Sequence, residues 1–281
     1  MVRKSGRIVI VANGEGNAAE SVVIKVPCTS WLLENEQRNV DALRSLHESD
    51  AVPAHIKRLV PRHLASGEYG GQRYFVEDTL SGTKPSDVRM TCQVAATMLE
   101  LHQATARIGP FGDKEFSVLR NALVSLRSVN GQSDYQTIWN TIEEFLEHEL
   151  LGRQIPHVWS HGDPGSNYLL DRNGRLCGIM DWETFDKNGL PLYDWTLLCV
   201  GRKAGWMCLR SALNGQEHAF FEHLSIDDYL ERLDLDRRLV PALALSAWVK
   251  YVEHRFRKRG CDSHWLRNQV FNVLRLCREL L

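Results

Sequence analysis

Trp159-Ser160-His161-Gly162-Asp163-Pro164-Gly165-Ser166-Asn167-Tyr168-Leu169-Leu170-Asp171-Arg172-Asn173-Gly174-Arg175-Leu176-Cys177-Gly178-Ile179-Met180-Asp181-Trp182-Glu183 is the stretch from which the rest of the chain is best read. Tyr168–Leu170 and Leu176–Met180 are strand-like runs on either side of Asn173-Gly174, a pair that tolerates the positive φ of a tight turn, so the middle is a hairpin. A hairpin brings its outer ends together. Asn167 closes one end and Asp181 the other, so an amide oxygen and a carboxylate can meet at one point. That point suits Mg²⁺, which takes oxygen ligands, keeps several waters and is usually held by one or two carboxylates plus substrate phosphates. Asp163 lies just before the pair, in a loop punctuated by Gly162, Pro164 and Gly165 that keeps its carboxylate outside regular structure. There it can orient a hydroxyl and take its proton. The set reads as a phosphoryl-transfer site in which positioning and charge neutralisation supply most of the catalysis.

His-Gly-Asp, an asparagine, a hairpin and then Asp-Trp-Glu together resemble the aminoglycoside phosphotransferase and choline kinase superfamily, small-molecule relatives of the protein kinases. The resemblance implies that Asp163 is the catalytic aspartate and that Asn167 and Asp181 are magnesium ligands. One departure stands out. Three residues, Pro164, Gly165 and Ser166, separate Asp163 from Asn167, one fewer than the family usually has, while the hairpin turn is one residue longer. The Asp163 to Asp181 distance along the chain therefore matches the family, and Asn167 is the member whose place the spacing alters.

Composition narrows the class. A chain of 281 residues holds one large domain or two lobes. Its formal net charge of -1 offers no general attraction to nucleic acid or to an anionic membrane. Seven cysteines, scattered and without a Cys-x-x-Cys pair, point away from a disulfide framework or a zinc site and towards the reducing cytoplasm. Met1-Val2-Arg3-Lys4-Ser5-Gly6 is too polar for a signal peptide, and no apolar run has the length of a membrane span.

Towards the N-terminus, Arg7–Ala12 and Ser21–Val26 are β-branched runs on either side of Asn13-Gly14-Glu15-Gly16-Asn17, which reads as two antiparallel strands and a turn. Gly14-x-Gly16-x-x-Ala19 after a strand also fits a dinucleotide fingerprint. That motif needs a helix next, and Val22-Val23-Ile24 leaves no room for one. Lys25 projects from the opposite face to Ile24 and Val26. Alone it is an exposed strand lysine, but Val23-Ile24-Lys25 resembles the kinase strand whose lysine contacts the nucleotide's phosphates. The resemblance asks for a helical glutamate, and Glu36, one turn before Val40 on the apolar face of Val40, Leu43 and Leu46, is the preferred partner, with Glu34 as the fallback. Only Lys4-Ser5-Gly6 precedes what resembles the family's second strand. Either the small lobe is abbreviated, its start is misassigned, or the glycine-rich loop lies outside this sequence.

Val52–Arg62 reads as a connector with a short strand, and Tyr74–Gly82 as a strand running into a turn. The latter resembles the kinase hinge, whose backbone meets the adenine edge. This makes Glu77 and Asp78 cofactor-binding positions and places the lobe boundary at 80. Helical patterns follow Pro85, with Met90, Val94, Met98 and Leu101 on one face, and recur over Phe116–Leu126 and Ile138–Leu151. Beyond Glu183, Ser225 reads as an N-cap, Leu243–Phe256 as amphipathic and Ser263–Leu281 as a last helix. In the family this region walls the acceptor pocket. Trp195, Trp206, Trp248 and Tyr251 are either an aromatic wall for a cationic substrate or core. His102, His161 and Asp194 read as structural, and Glu183 as either a supporting acid or a metal ligand.

The reading is an α+β, two-lobed protein-kinase-like fold: residues 1–80 a small β-rich nucleotide-binding lobe, residues 81–281 a larger, mainly helical one. The activity it implies is Mg²⁺-dependent transfer of the γ-phosphate of ATP or GTP to a small-molecule hydroxyl. Lys25, fixed by Glu36, steadies the phosphates. The alternatives are a pseudokinase-like binding module and an NAD-dependent dehydrogenase.

Overall fold

A computed structural model describes residues 6–12, 21–85, 91–129, 133–200, 205–214, 225–259 and 264–281. The chain forms two compact units, Met1–Thr105 with His161–Lys187, and Ala106–Ser160 with Asn188–Leu281. Residues 161–187 thus group with the N-terminal sheet, although they follow position 80 in sequence.

β1 (Arg7–Ala12) and β2 (Val22–Pro27) pair antiparallel, with Ala12 opposite Val22 and Arg7 opposite Pro27. This pairing removes the dehydrogenase reading, because a dinucleotide fold follows its glycine motif with a helix and a parallel strand. Gly14, Gly16 and Ala19 lie outside the described residues. The Thr29 side chain accepts the Leu32 N–H at 3.3 Å and starts α1 (Ser30–Glu48), whose buried Leu32, Val40, Leu43 and Leu46 hold it to the sheet unit. In place of the expected short strand, the connector forms α2 (Ala54–Lys57), entered through Pro53, whose ring suits the start of a helix but not a paired strand. β3 (His63–Tyr69) and β4 (Gln72–Asp78) follow, joined by Gly70-Gly71, both at positive φ as a tight hairpin turn requires. The sheet order is β1-β2-β4-β3. α3 (Thr91–Thr105) buries Val94, Met98, Leu101 and His102, the last in keeping with a structural histidine. Met90 lies outside the described residues.

β5 (Arg107–Pro110), α4 (Asp113–Val129), α5 (Ser133–Leu150) and β6 (Gln154–Ser160) belong to the second unit, where β5 and β6 pair antiparallel. The chain then returns to the first unit with β7 (Tyr168–Leu170) and β8 (Leu176–Ile179), the predicted hairpin. It continues through β9 (Asp186–Gly189), α6 (Tyr193–Val200), α7 (Gly205–Leu213), α8 (Ile226–Leu233), α9 (Val240–Arg259) and α10 (His264–Leu280). Ser225 caps α8 in a reciprocal capping box with Asp228. α9 is the axis of the second unit, and α4, α5, α6, α7 and α10 all pack on it. Its Trp248 stacks on Trp139 with ring centres 6.2 Å apart, and Trp195 packs edge-on to Tyr229. Trp195, Trp248 and Tyr251 are all buried, so these aromatics are core rather than a substrate wall. The side chain of Trp206 lies outside the description. No helix among the described residues is long and apolar enough to cross a membrane. The architecture is α+β, a small antiparallel sheet with a larger helical part.

Candidate active site

Asn167 and Asp181 meet because the hairpin does. The Met180 N–H donates to the Asn167 carbonyl at 2.7 Å, one step beyond the Tyr168–Ile179 pair, and leaves Asp181 as the next residue out. The turn at the other end is closed by Asp171, whose Oδ1 accepts the N–H groups of Asn173 and Arg175, with Gly174 at φ 74°. From α3, the Gln93 side chain grips the same turn, donating to the Gly174 carbonyl and accepting the Leu176 N–H. Asp181 itself sits in the left-handed region, φ 59°, a conformation that aspartate tolerates better than most residues. Two bonds to Trp182 lock it there. The Trp182 backbone N–H donates to Asn39 Oδ1 at 2.9 Å, and its indole N–H donates to the Ile179 carbonyl at 3.0 Å.

The Asp163 loop is held by its backbone. The Asp163 N–H donates to His161 Nδ1 at 3.2 Å, and its carbonyl accepts the Asn167 Nδ2 amide at 2.8 Å. His161 Nε2 lies 2.9 Å from the Met180 carbonyl, which can only accept, so the ring carries its proton on Nε2 and offers Nδ1 as acceptor. With both nitrogens engaged and no exposure, His161 is a loop brace, as the sequence reading had it. Gly162 is required twice over: its φ is +84°, and a Cβ there would collide with the Thr184 carbonyl and lie 2.8 Å from Thr184 Cβ. Gly162→Ala is therefore expected to destabilise the protein by roughly 2 kcal/mol or more. Gly165→Ala, where a Cβ meets nothing within 4 Å, should change stability by less than about 0.5 kcal/mol. Parallel urea melts of the two variants check this contrast.

A cluster of charge adjoins the hairpin end. Lys25 stands opposite Val9 in β1 and Phe75 in β4. Directly opposed residues share a sheet face, as do residues two apart on a strand, so Arg7, Lys25 and Glu77 project from the same face. α1 adds Glu36 and Asn39. Lys25 Nζ lies 2.8 Å from Glu77 Oε1 and 3.7 Å from Asp181 Oδ1. The expected Lys25–Glu36 pair is not the one formed. Glu36 Oε1 instead lies 2.7 Å from Arg7 Nε, and Arg7 Nη2 donates to Glu183 Oε2 at 2.8 Å. Asn39 joins the parts, donating to Glu77 Oε2 at 3.4 Å while accepting from Trp182. Sequence reasoning missed Arg7 and Asn39 and assigned Glu77 to the hinge. For Arg7 and Glu77 the signal was the period of two, usable only once the strand register is known; Asn39 lies three residues after Glu36 on the same face of α1.

These neighbours set the ionisation. Burial alone would lower the Lys25 ammonium, but Glu77, Glu36 and Asp181 outweigh it and hold the group above its ordinary value. For Glu36, burial wins over the attraction of Lys25 and Arg7 and raises the carboxyl. Asp181 goes the other way: burial is opposed by Lys25 and then Arg7, which together keep it below the usual carboxylate range. Glu183 faces Arg7 and supports it. Asp78 points elsewhere, its Oδ1 accepting the Arg62 N–H and its own N–H donating to the Arg62 carbonyl at 3.0 Å.

Among the described residues no three His, Cys, Asp or Glu side chains gather into a self-sufficient metal site. The donor set at the hairpin end nevertheless fits Mg²⁺. Asn167 spends its amide nitrogen on Asp163, which leaves its oxygen as the ligating atom, and Asp181 is an ionised carboxylate about a third open to solvent. Two protein oxygens completed by water and phosphate are the usual arrangement for that ion.

No curated protein matches the chain in sequence. Solved structures match its fold. A thermostable mutant of aminoglycoside phosphotransferase APH(4)-Ia in ternary complex with ADP and hygromycin B aligns with a TM-score of 0.58 at 15% identity, over 98% of this chain and 92% of that one. Choline kinase LicA from Streptococcus pneumoniae gives 0.55 at 13% identity over 96% and 89%, and the gentamicin complex of APH(2")-IIa gives 0.54 at 16% over 90% and 84%. The sequence profile of the phosphotransferase enzyme family matches residues 7–233, which include Arg7, Lys25, Asp163, Asn167 and Asp181, and the chain belongs to that family.

Proposed function

We propose that this protein transfers the γ-phosphate of ATP or GTP to a hydroxyl of a small molecule. The observation that carries the reading is the convergence of Asp163, Asn167 and Asp181 at one hairpin end, with Lys25 3.7 Å from Asp181. Asp163 accepts the acceptor's hydroxyl proton as the acceptor oxygen bonds to the γ-phosphorus and the bond to the β-phosphate oxygen breaks, releasing nucleoside diphosphate. Mg²⁺, held by Asn167 Oδ1 and the Asp181 carboxylate, would neutralise charge on the phosphates. Lys25 steadies the α- and β-phosphates. Glu77 and Asn39 aim it, and Arg7 occupies Glu36. Glu77 and Asp78 act on the nucleotide indirectly, the first through Lys25 and the second by fixing strand β4 as it runs into the proposed hinge at Thr79–Leu80. Among the described residues Cys28, Cys92, Cys177, Cys199 and Cys277 form no disulfide, and a cytoplasmic setting is part of this proposal.

The acceptor class is drawn by likeness: relatives of this fold bind hygromycin B and gentamicin, and another is a choline kinase. A second reading, a nucleotide-binding module without turnover, draws on the departure of Lys25 from the Glu36 pairing and on the contracted Asp163 to Asn167 spacing. One experiment separates the two. Thermal melts with ATP or GTP are expected to show stabilisation that needs Mg²⁺, about 2.7 kcal/mol at a hundredfold excess over Kd, and an acceptor panel should yield nucleoside diphosphate. Stabilisation that is indifferent to the metal, or none at all, with no diphosphate from any acceptor, refutes transfer.

A further inference from the structure

A recess of about 800 Å³ lies elsewhere in the sheet unit, walled by α1, the α2 connector, the start of β3 and the end of β4. Arg44, His47, Lys57, Arg58, Arg62 and His63 line it. Against them stand Glu48 and Asp78, so four fixed cations face two carboxylates, a net of +2 with both histidines neutral. Asp78 Oδ1 already accepts the Arg62 backbone N–H, and Glu48 is exposed. Lys57 is spent on the His47 carbonyl, 2.9 Å away. The guanidinium groups of Arg44, Arg58 and Arg62 have neither a hydrogen bond nor an ion pair among the described residues. Three guanidinium forks without a protein partner line one concavity, an arrangement that a bound anion complements.

We propose that this recess binds a small phosphorylated molecule whose phosphate is gripped by Arg44, Arg58 and Arg62. The donors come from three segments, α1, the end of α2 and the approach to β3, and so reach an oxyanion from several directions, which suits a tetrahedral phosphate better than a planar carboxylate. Leu43, Val60 and Leu80 supply apolar wall for the organic part, and the volume lies within the range of small-molecule sites. The inference does not depend on the phosphoryl-transfer reading, since Arg44, Arg58 and Arg62, which grip the anion, lie outside the Lys25 and Asp163 cluster and take no part in the proposed hinge.

Calorimetric titration with inorganic pyrophosphate, in chelator and without Mg²⁺, tests it on the full chain. Wild type should bind pyrophosphate more tightly than citrate, Arg44→Gln/Arg58→Gln should weaken binding at least about tenfold, and Lys25→Met should leave it within about twofold. Because the arginines are exposed and unpaired, the double variant should melt with wild type. If it does not, Arg44→Lys/Arg58→Lys, which keeps charge and loses the fork, is expected to show a smaller loss in the same direction. No binding by wild type, citrate preferred, arginine variants that bind unchanged, or a Lys25→Met variant that loses binding would each overturn the assignment.

Discussion

Asp163→Ala is expected to lower kcat by about a thousandfold, within the range that a positioned general base supplies, while the KM for nucleotide moves little. The expectation follows from how the loop is built. The bonds that hold it, Asp163 N–H to His161 Nδ1 and Asp163 carbonyl to the Asn167 amide, are made by backbone atoms of residue 163 and survive removal of the carboxylate. Gly162, and Thr184 Oγ1 donating to the His161 carbonyl, shape the loop further. The variant should therefore melt close to wild type and still show Mg²⁺-dependent stabilisation by nucleotide, so lost turnover reports chemistry rather than folding. Single-turnover and steady-state assays on the acceptor identified by the panel provide the measurement. A variant that turns over at the wild-type rate would remove Asp163 from the mechanism.

Asp181→Asn should cost about 10² to 10³ in kcat and, unlike the Asp163 variant, abolish the metal dependence of nucleotide stabilisation. The amide keeps the shape but loses the charge that draws both Lys25 and a divalent ion. A stability signature accompanies it. Burial opposes ionisation of Asp181, yet Lys25 and Arg7 prevail and the folded-state pKa is depressed. A depressed carboxylate contributes stability that is present above its unfolded value, about 4, and is lost as pH falls through the lower folded value. Wild type minus variant should thus be positive at neutral pH and shrink in acid, by an amount that solvent screening keeps modest because 35% of the side chain is exposed. Urea midpoints across the acid limb measure this. Retention of a Mg²⁺-dependent shift in Asp181→Asn would dissociate the metal from this residue.

What could be read along the chain, and what could not, separates by the distance over which each signal acts. The Tyr168–Met180 hairpin was legible because Asn173-Gly174 permits the turn and the flanking runs pair with their neighbours. The Ser225 cap was legible because its partner, Asp228, lies three residues on. β3 was not: His-Leu-Ala-Ser-Gly-Glu-Tyr lacks alternation, and its side chains are mostly exposed, so burial wrote no pattern into it. α2 was not legible within the Val52–Arg62 connector, which reads as holding a short strand, because a helix of four residues carries too little period to show.

Asp163, Asn167 and Asp181 are neighbours along the chain or across one hairpin, and local turn chemistry is enough to bring them together. The groups around Lys25 are another matter. Arg7, Glu77 and Asn39 come from β1, β4 and α1, and which of them faces which depends on a register in which a one-residue slip would turn each strand side chain to the opposite face. Residue types and local spacing therefore specified the acid, the amide and the lysine. Long-range strand pairing, whose specificity lies in burial summed over the whole sheet, assigned Glu77 to Lys25, and the packing of α1 on that sheet assigned Arg7 to Glu36.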